Sequence, residues 1–360
     1  MAIGFPTKAN WAAGDVLTAS AMDDLAGTVN LVSAPLYNAA GKNKIINGDY
    51  NVSQRGTSFN AAYFNGGNTY SLDRWNILWD NVPTSVTVSQ QAFTLGAAPV
   101  AGYEGTSFYR SLITTVGSCT IWQTRQKIED VRVYAGQTAT VSFWAKADTT
   151  RNVTVGVDQV FGSGGSATVS AISTTSATLA LTTSWVRYSV TFTVASISGK
   201  TIGTGSSLTL SFVQAVASGS TLDLWGVQLE AGSYATGFQT ATGTLQGELA
   251  ACQRYYYRVS AAATNSNLSA SGVIFSSTAS NGLIPFPVQM RTFPTSVDYA
   301  ALRFSDVANI QTAISVVTIS NGCTPYMGTL DVTSSGMTTG RFGYIQSSSI
   351  SGYIGFSAEL

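Results

Sequence analysis

The stretch RYSVTFTV, residues 187–194, alternates with a period of two. Tyr188, Val190, Phe192 and Val194 fall on one side of an extended chain, and Ser189, Thr191 and Thr193 on the other. One face is apolar and one is rich in hydroxyls. That is the pattern of an antiparallel sandwich, with one side on a core and the other in water.

The same reading extends outward in both directions. TATVSFWAKAD (138–148), RNVTVGVDQV (151–160), SSLTLSFVQAV (206–216) and STLDLWGVQLEAG (220–232) read as strands of about six to nine residues. FGSGGSAT (161–168) and ISGKTIGTGSS (197–207) are Gly/Ser loops between them. Residues 43–240 are thus expected to form a β-sandwich.

The pattern breaks at TLQGELAACQRYY (244–256). Leu245, Leu249, Cys252 and Tyr256 recur at helical spacing, with Thr244 placed to cap the first turn. Residues 241–258 are read as a linking helix. Alternation then resumes, so residues 259–360 predict a second β-sandwich domain. The prolines of IPFPVQM (284–290) suit an edge strand or a bend. At the other end, residues 1–17 resemble an extended arm. Thr18 or Ser20 can cap a short helix in which Met22, Leu25, Val29 and Val32 form an a/d stripe, stopped by Pro35. Two such stripes, Met22–Val32 and Leu245–Tyr256, suit association of several copies. The fold class is therefore all-β, with short helices only at the start and between the two β domains.

Composition excludes several functions. Charged residues make up 10% of the chain, against about 25% in ordinary soluble proteins. Lys+Arg and Asp+Glu are both 18, which gives no electrostatic reason to bind nucleic acid or an anionic membrane. The chain has no histidine, so serine-triad, cysteine–histidine and His-zinc chemistry are ruled out. Cys119, Cys252 and Cys323 match no metal spacing and no paired framework. They read as free, buried thiols of a protein folded in a reducing cytoplasm. The start of the chain lacks the charged and apolar regions of a signal peptide, and no segment approaches the length of a membrane span.

The ordered set NKIINGDYNVSQRG (43–56), YSLDRWNI (70–77), QKIEDVRVYAGQTATVSFWAKAD (126–148), SWVRYSVTFTV (184–194), LWGVQLEAGSYATGFQ (224–239) and CQRYYYR (252–258) resembles bacteriophage tail fibre proteins. PVQMRTFPT (287–295) and FSAEL (356–360) resemble the C-terminal module of the same fibres, so the resemblance covers about residues 43–360. It implies a trimeric, non-enzymatic virion protein that attaches the phage to a host-surface polysaccharide or protein. The resemblance also implies that such a protein is made in the host cytoplasm and joined to other virion proteins through residues 1–42. A head fibre, decoration or adaptor protein with no receptor role is the second reading. A polysaccharide depolymerase is the third.

Within that family the first β domain is similar to jelly-roll carbohydrate-binding modules. Such modules often hold a structural calcium between acids of the opening motif and of the closing strand. Here Asn51, Trp225 and Gly226 stand at those positions, so no metal and no cofactor are expected. Sugar binding uses aromatic faces ringed by hydrogen-bonding groups. Trp79, Trp122 and Trp144 are the candidates, with Lys146 beside Trp144 on the side opposite Val141, Phe143 and Ala145. Packing of Trp144 against a loop or a neighbouring subunit is the competing reading. Trp75 and Trp225 are assigned to the core. Glu104, Glu129, Asp130, Asp148, Asp158 and Asp223 supply no pair that can be placed at glycosidase spacing, so no catalytic residue is assigned.

Overall fold

The computed structural model describes residues 41–360 except 65, 67, 101, 102, 309 and 310. The Met22–Leu25–Val29–Val32 stripe and the capped helix around it lie outside the described residues.

Residues 58–231 hold the strands β1 (Ser58–Asn60), β2 (Asn68–Tyr70), β3 (Asn76–Trp79), β4 (Ser85–Ala92), β5 (Ser107–Thr115), β6 (Trp122–Glu129), β7 (Thr138–Ala147), β8 (Arg151–Val160), β9 (Val169–Leu181), β10 (Val186–Thr193), β11 (Ser207–Gln214) and β12 (Ser220–Ala231). They form two six-stranded antiparallel sheets, in the orders β1-β4-β5-β12-β7-β10 and β2-β3-β6-β11-β8-β9. The alternation of residues 187–194 has its expected consequence. Tyr188, Val190 and Phe192 lie opposite Phe143, Val141 and Ala139 of β7, and all six face the sandwich interior. Ser189, Thr191 and Thr193 are exposed.

Helix α1 (Leu245–Gln253) follows, with the Thr244 side chain accepting from Gly247 N at 3.0 Å. Its buried face is Glu248 and Cys252, not the leucines. Leu245 is 63% exposed and Leu249 37%. The reason is polar. Glu248 accepts hydrogen bonds from Asn47 N, Thr242 N and Thr242 Oγ1, which turns the carboxylate inward.

The C-terminal half contains β13 (Tyr256–Ser260), β14 (Gly272–Ser276), β15 (Ala279–Pro285), β16 (Ser296–Ala300), β17 (Leu302–Asp306), β18 (Gln311–Ile319), β19 (Met327–Ser334), β20 (Phe342–Ser347) and β21 (Tyr353–Ser357). It is all-β, but it is not the expected sandwich. β14-β15-β19-β18-β17-β20 close into a barrel, and β13-β21-β16 form a separate three-stranded sheet. Closure runs through Gly272 opposite Gly343. A Cβ on Gly343 would meet the Phe304 ring at 2.3 Å, so only glycine fits where β20 crosses the barrel core. Closing the sheet removes the edges that an open sheet would expose. Pro285 is the last residue of β15, where the chain bends. Cys119 and Cys252 are buried free thiols. Cys323 is also free but half-buried, at odds with the expected burial.

The two halves meet at α1 and β13. Tyr255 lies under the Arg74 guanidinium at 3.5 Å and donates to Glu129 Oε2 at 2.9 Å. Tyr256 lies under Arg55 at 3.6 Å and donates to Asp298. Tyr257 packs edge-on to Phe286, among the residues against the C-terminal core. The three tyrosines therefore face three directions and join the domains. The FSAEL motif closes the same joint. Glu359 pairs with both Arg55 and Arg74, Arg291 donates to the carbonyls of Ala358 and Glu359, and Lys127 and Tyr70 donate to Leu360 O.

Candidate functional site

Two of the four candidate sugar-binding residues are unavailable to a ligand. Trp122 is 0% exposed and Trp79 6%. They are cross-strand partners on β6 and β3, with ring centroids 5.9 Å apart inside the sandwich. On β6 the inward residues are Trp122, Thr124, Gln126 and Ile128. Two of the four are polar, which hides the core face from a simple count of apolar residues.

Trp144 does point away from the core, as its strand parity requires. It is nevertheless only 8% exposed. It packs with Trp225 and Phe238 at 5.3 and 6.4 Å between ring centroids, and Arg187 covers it at 4.6 Å. Trp225 is buried, as expected, but in this outer cluster and not in the sandwich interior. Strand parity puts it there, opposite Leu222 and Leu224, and the bulge between Trp225 and Gln228 then turns Val227 and Leu229 back into the core. Gly226 sits in that bulge at φ +62°, and a Cβ there would meet Trp144 Cε3 at 2.8 Å.

Lys146 is the candidate that solvent reaches. The strand register sets it in a row, because Asp223 of β12 lies directly between Arg110 of β5 and Lys146 of β7. Arg110 makes two 2.7 Å hydrogen bonds to Asp223, and Lys146 Nζ stands 3.8 Å from the same carboxylate. Asp223 is buried, while the Arg110 and Lys146 side chains keep 34% and 28% exposure. Beside this row, Trp185 lies 5.2 Å from Lys146 Nζ and packs edge-on to Phe108 at 5.3 Å. The face thus joins aromatic rings to two cations that share one carboxylate. It can hold a polar ring against aromatic edges and offers one net positive charge for an oxygen ligand. Sequence parity places Lys146 on this face. It cannot bring in Arg110, Asp223, Phe108 and Trp185, because register between strands distant in the chain is not written in any one of them.

A second concave region lies between the domains. It is a cleft of about 580 Å³ with Arg55, Tyr63, Tyr70, Asp298 and Tyr353 among its walls.

The remaining carboxylates have local partners. Glu129 accepts from Arg254 and Tyr255, Asp148 pairs with Arg151, Asp130 with Arg132, and Asp158 accepts from Ser170. Among the described residues no three His, Cys, Asp or Glu side chains gather as a metal site. The calcium position of jelly-roll modules does not fit these residues. Asn51 donates its side-chain amide to Asp49 at 2.7 Å, and Glu248 is taken up by Asn47 and Thr242.

Burial, followed by the charge of Glu248, pushes the Asp49 carboxyl up to about 6 from its ordinary 3.8. The native state therefore binds this proton more tightly than the unfolded chain does. The group's contribution to stability is complete below its unfolded value and is lost as pH rises through about 6. A shift of that size corresponds to about 3 kcal/mol. Asp49→Asn is expected to remove this part of the pH dependence. Urea unfolding between pH 4 and 7 should show the variant gaining on the native protein as pH rises. A constant difference across that range would contradict the assignment.

Residues 58–204 match the carbohydrate binding domain family CBM_4_9. No curated protein matches the chain. Among solved structures, the enzymatically active domain of bacteriophage CBA120 tailspike protein 4 is 15% identical with a TM-score of 0.34. The match covers 53% of this chain and 21% of that one. The CBM22-1 xylan-binding domain of Paenibacillus barcinonensis Xyn10C is 14% identical with a TM-score of 0.31, over 54% of this chain and 98% of that one. The N-terminal cellulose-binding domain of Cellulomonas fimi β-1,4-glucanase C is 18% identical with a TM-score of 0.28, over 37% and 84%. The chain spans about a fifth of the tailspike chain. The face bearing Lys146 and Trp185 is thus built largely within a stretch that matches a carbohydrate binding domain.

Proposed function

We propose that this protein is a non-enzymatic subunit of a phage tail fibre that attaches the virion to a host-surface glycan. The observation that carries the reading is the carbohydrate binding domain match over residues 58–204, with Lys146 and Trp185 on one partly open face of it. The ordered motifs across residues 43–360 support the fibre assignment. In this reading residues 1–42 fasten the chain to other virion proteins, and the barrel domain lies distally. Binding per site is weak and is strengthened by copies held together.

The test is retention of the full chain on immobilised bacterial surface polysaccharides. Trp185→Ala and Lys146→Ala should each weaken retention about tenfold, the scale of one aromatic contact or one charge-assisted hydrogen bond. Retention equal to that of the native chain would remove this face from the proposal.

Association is expected to be trimeric, with the exposed Leu245 and Leu249 of α1 contributing to the contact. Light scattering at micromolar concentration should give three times the chain mass. A monomer would contradict it.

A further inference from the structure

We infer that the cleft between the two β domains is a second saccharide site, one that takes an uncharged pyranose unit. The inference rests on the glycan-binding reading above but concerns different residues. The sandwich contributes Arg55, Tyr63, Asn68 and Tyr70, and the C-terminal domain contributes Asp298 and Tyr353. A cleft of about 580 Å³ is within the range of small-ligand sites, roughly 300–1,000 Å³.

The chemistry suits a sugar ring. Tyr63, Tyr70 and Tyr353 are half-buried, so aromatic surface remains at the walls. Their positions are fixed by contacts within the protein, one of which covers one face of Tyr353. Tyr63 donates to Tyr70 O, Tyr70 donates to Leu360 O, and Arg258 stacks on Tyr353 at 3.4 Å. Asp298 is exposed and holds the Tyr256 hydroxyl at 3.0 Å through Oδ2. Asn68, from the sandwich side of the cleft, is also exposed. These groups offer acceptors and amide donors to sugar hydroxyls. The Arg55 side chain is 7% exposed, and its Nη1 has no hydrogen-bond partner in the protein.

Charge selects the class of ligand. Arg55 and Arg74 face Glu359 and Asp73, and Arg258 and Asp298 flank Tyr353 with opposite signs. The charges around the cleft cancel, so an anionic sugar gains nothing there. The row of two cations and one carboxylate at Lys146 has the opposite character. Because the walls come from both domains and the FSAEL contacts lock the joint, the site is formed before ligand arrives.

Saturation-transfer NMR on the full chain tests this, with methyl β-glucopyranoside, methyl β-galactopyranoside and N-acetylglucosamine as probes. At least one should bind. Tyr353→Ala and Asp298→Asn should each raise its Kd about tenfold, the scale of one stacked ring or one hydrogen bond to a charged group. Arg132→Ala, at an exposed pair outside both candidate sites, should leave that Kd unchanged. Asp298→Asn keeps the side-chain shape and an acceptor for Tyr256, so it separates loss of binding from loss of fold. Binding that survives both cleft variants but is lost in Lys146→Ala overturns the second site and leaves the glycan-binding reading standing. No transfer to any probe overturns the second site as well. No retention on polysaccharide either would remove the glycan-binding reading with it.

Discussion

Glu359→Ala should cost about 3–5 kcal/mol of stability, the range for removing one partner of a buried ion cluster. The Arg74 side chain is 1% exposed, Arg55 7% and Glu359 6%. Glu359 pairs with both guanidiniums, which also lie on the rings of Tyr255 and Tyr256, while the buried Asp73 acts on Arg55. Removing Glu359 takes the paired carboxylate from Arg74 and leaves Arg55 to Asp73. The backbone of Arg74 is left-handed, at φ 69°, which shows how firmly its surroundings hold it. Arg132→Ala is the control. Its pair with Asp130 is 61% and 43% exposed, so the loss should stay below about 1 kcal/mol. Denaturant unfolding measures both. Equal, small effects would show that FSAEL does not lock the domain joint.

Trp122→Ala should be comparably damaging, at about 3–5 kcal/mol, as expected for emptying a large buried aromatic site. The ring is fully buried, stacks near Trp79 and meets Phe64 edge-on at 5.2 Å. Its Nε1 donates to Ser111 Oγ at 3.0 Å, so the substitution also removes a buried hydrogen bond. Trp185→Ala, on the partly exposed face, should cost clearly less, since its ring is only half-buried, against Phe93 and Phe108. Melting curves of the two variants separate a core tryptophan from a ligand-facing one. A stable Trp122→Ala protein that fails to bind polysaccharide would reverse the assignment.

The sequence carried the period of the strands and the parity of their side chains. That was enough to place Tyr188, Val190 and Phe192 inward and to put Trp144 and Lys146 together outside. It was also enough to separate the tyrosines of CQRYYYR, because they cross from helix to strand. Three things were not legible, each for a physical reason. Gln126 faces inward because its side chain exchanges hydrogen bonds with the backbone of Ile46, so β6 resembles a wet strand although its Trp122 is core. Glu248 displaces the leucines from the buried side of α1 because it satisfies three donors of the preceding segments. The Trp225–Gln228 bulge and the closure at Gly272–Gly343 depend on partners far away in the chain. The row Arg110–Asp223–Lys146 belongs to the same class, since it exists only once β5, β12 and β7 are in register.

In the function proposed above, the protein holds a glycan without cutting it. The most direct measurement is incubation of the full chain with purified bacterial surface polysaccharide, following retained protein and released reducing ends together. Retention is expected to fall in Trp185→Ala and Lys146→Ala, with no reducing ends above the protein-free control. Release of reducing ends, or no retention on any polysaccharide, would contradict it.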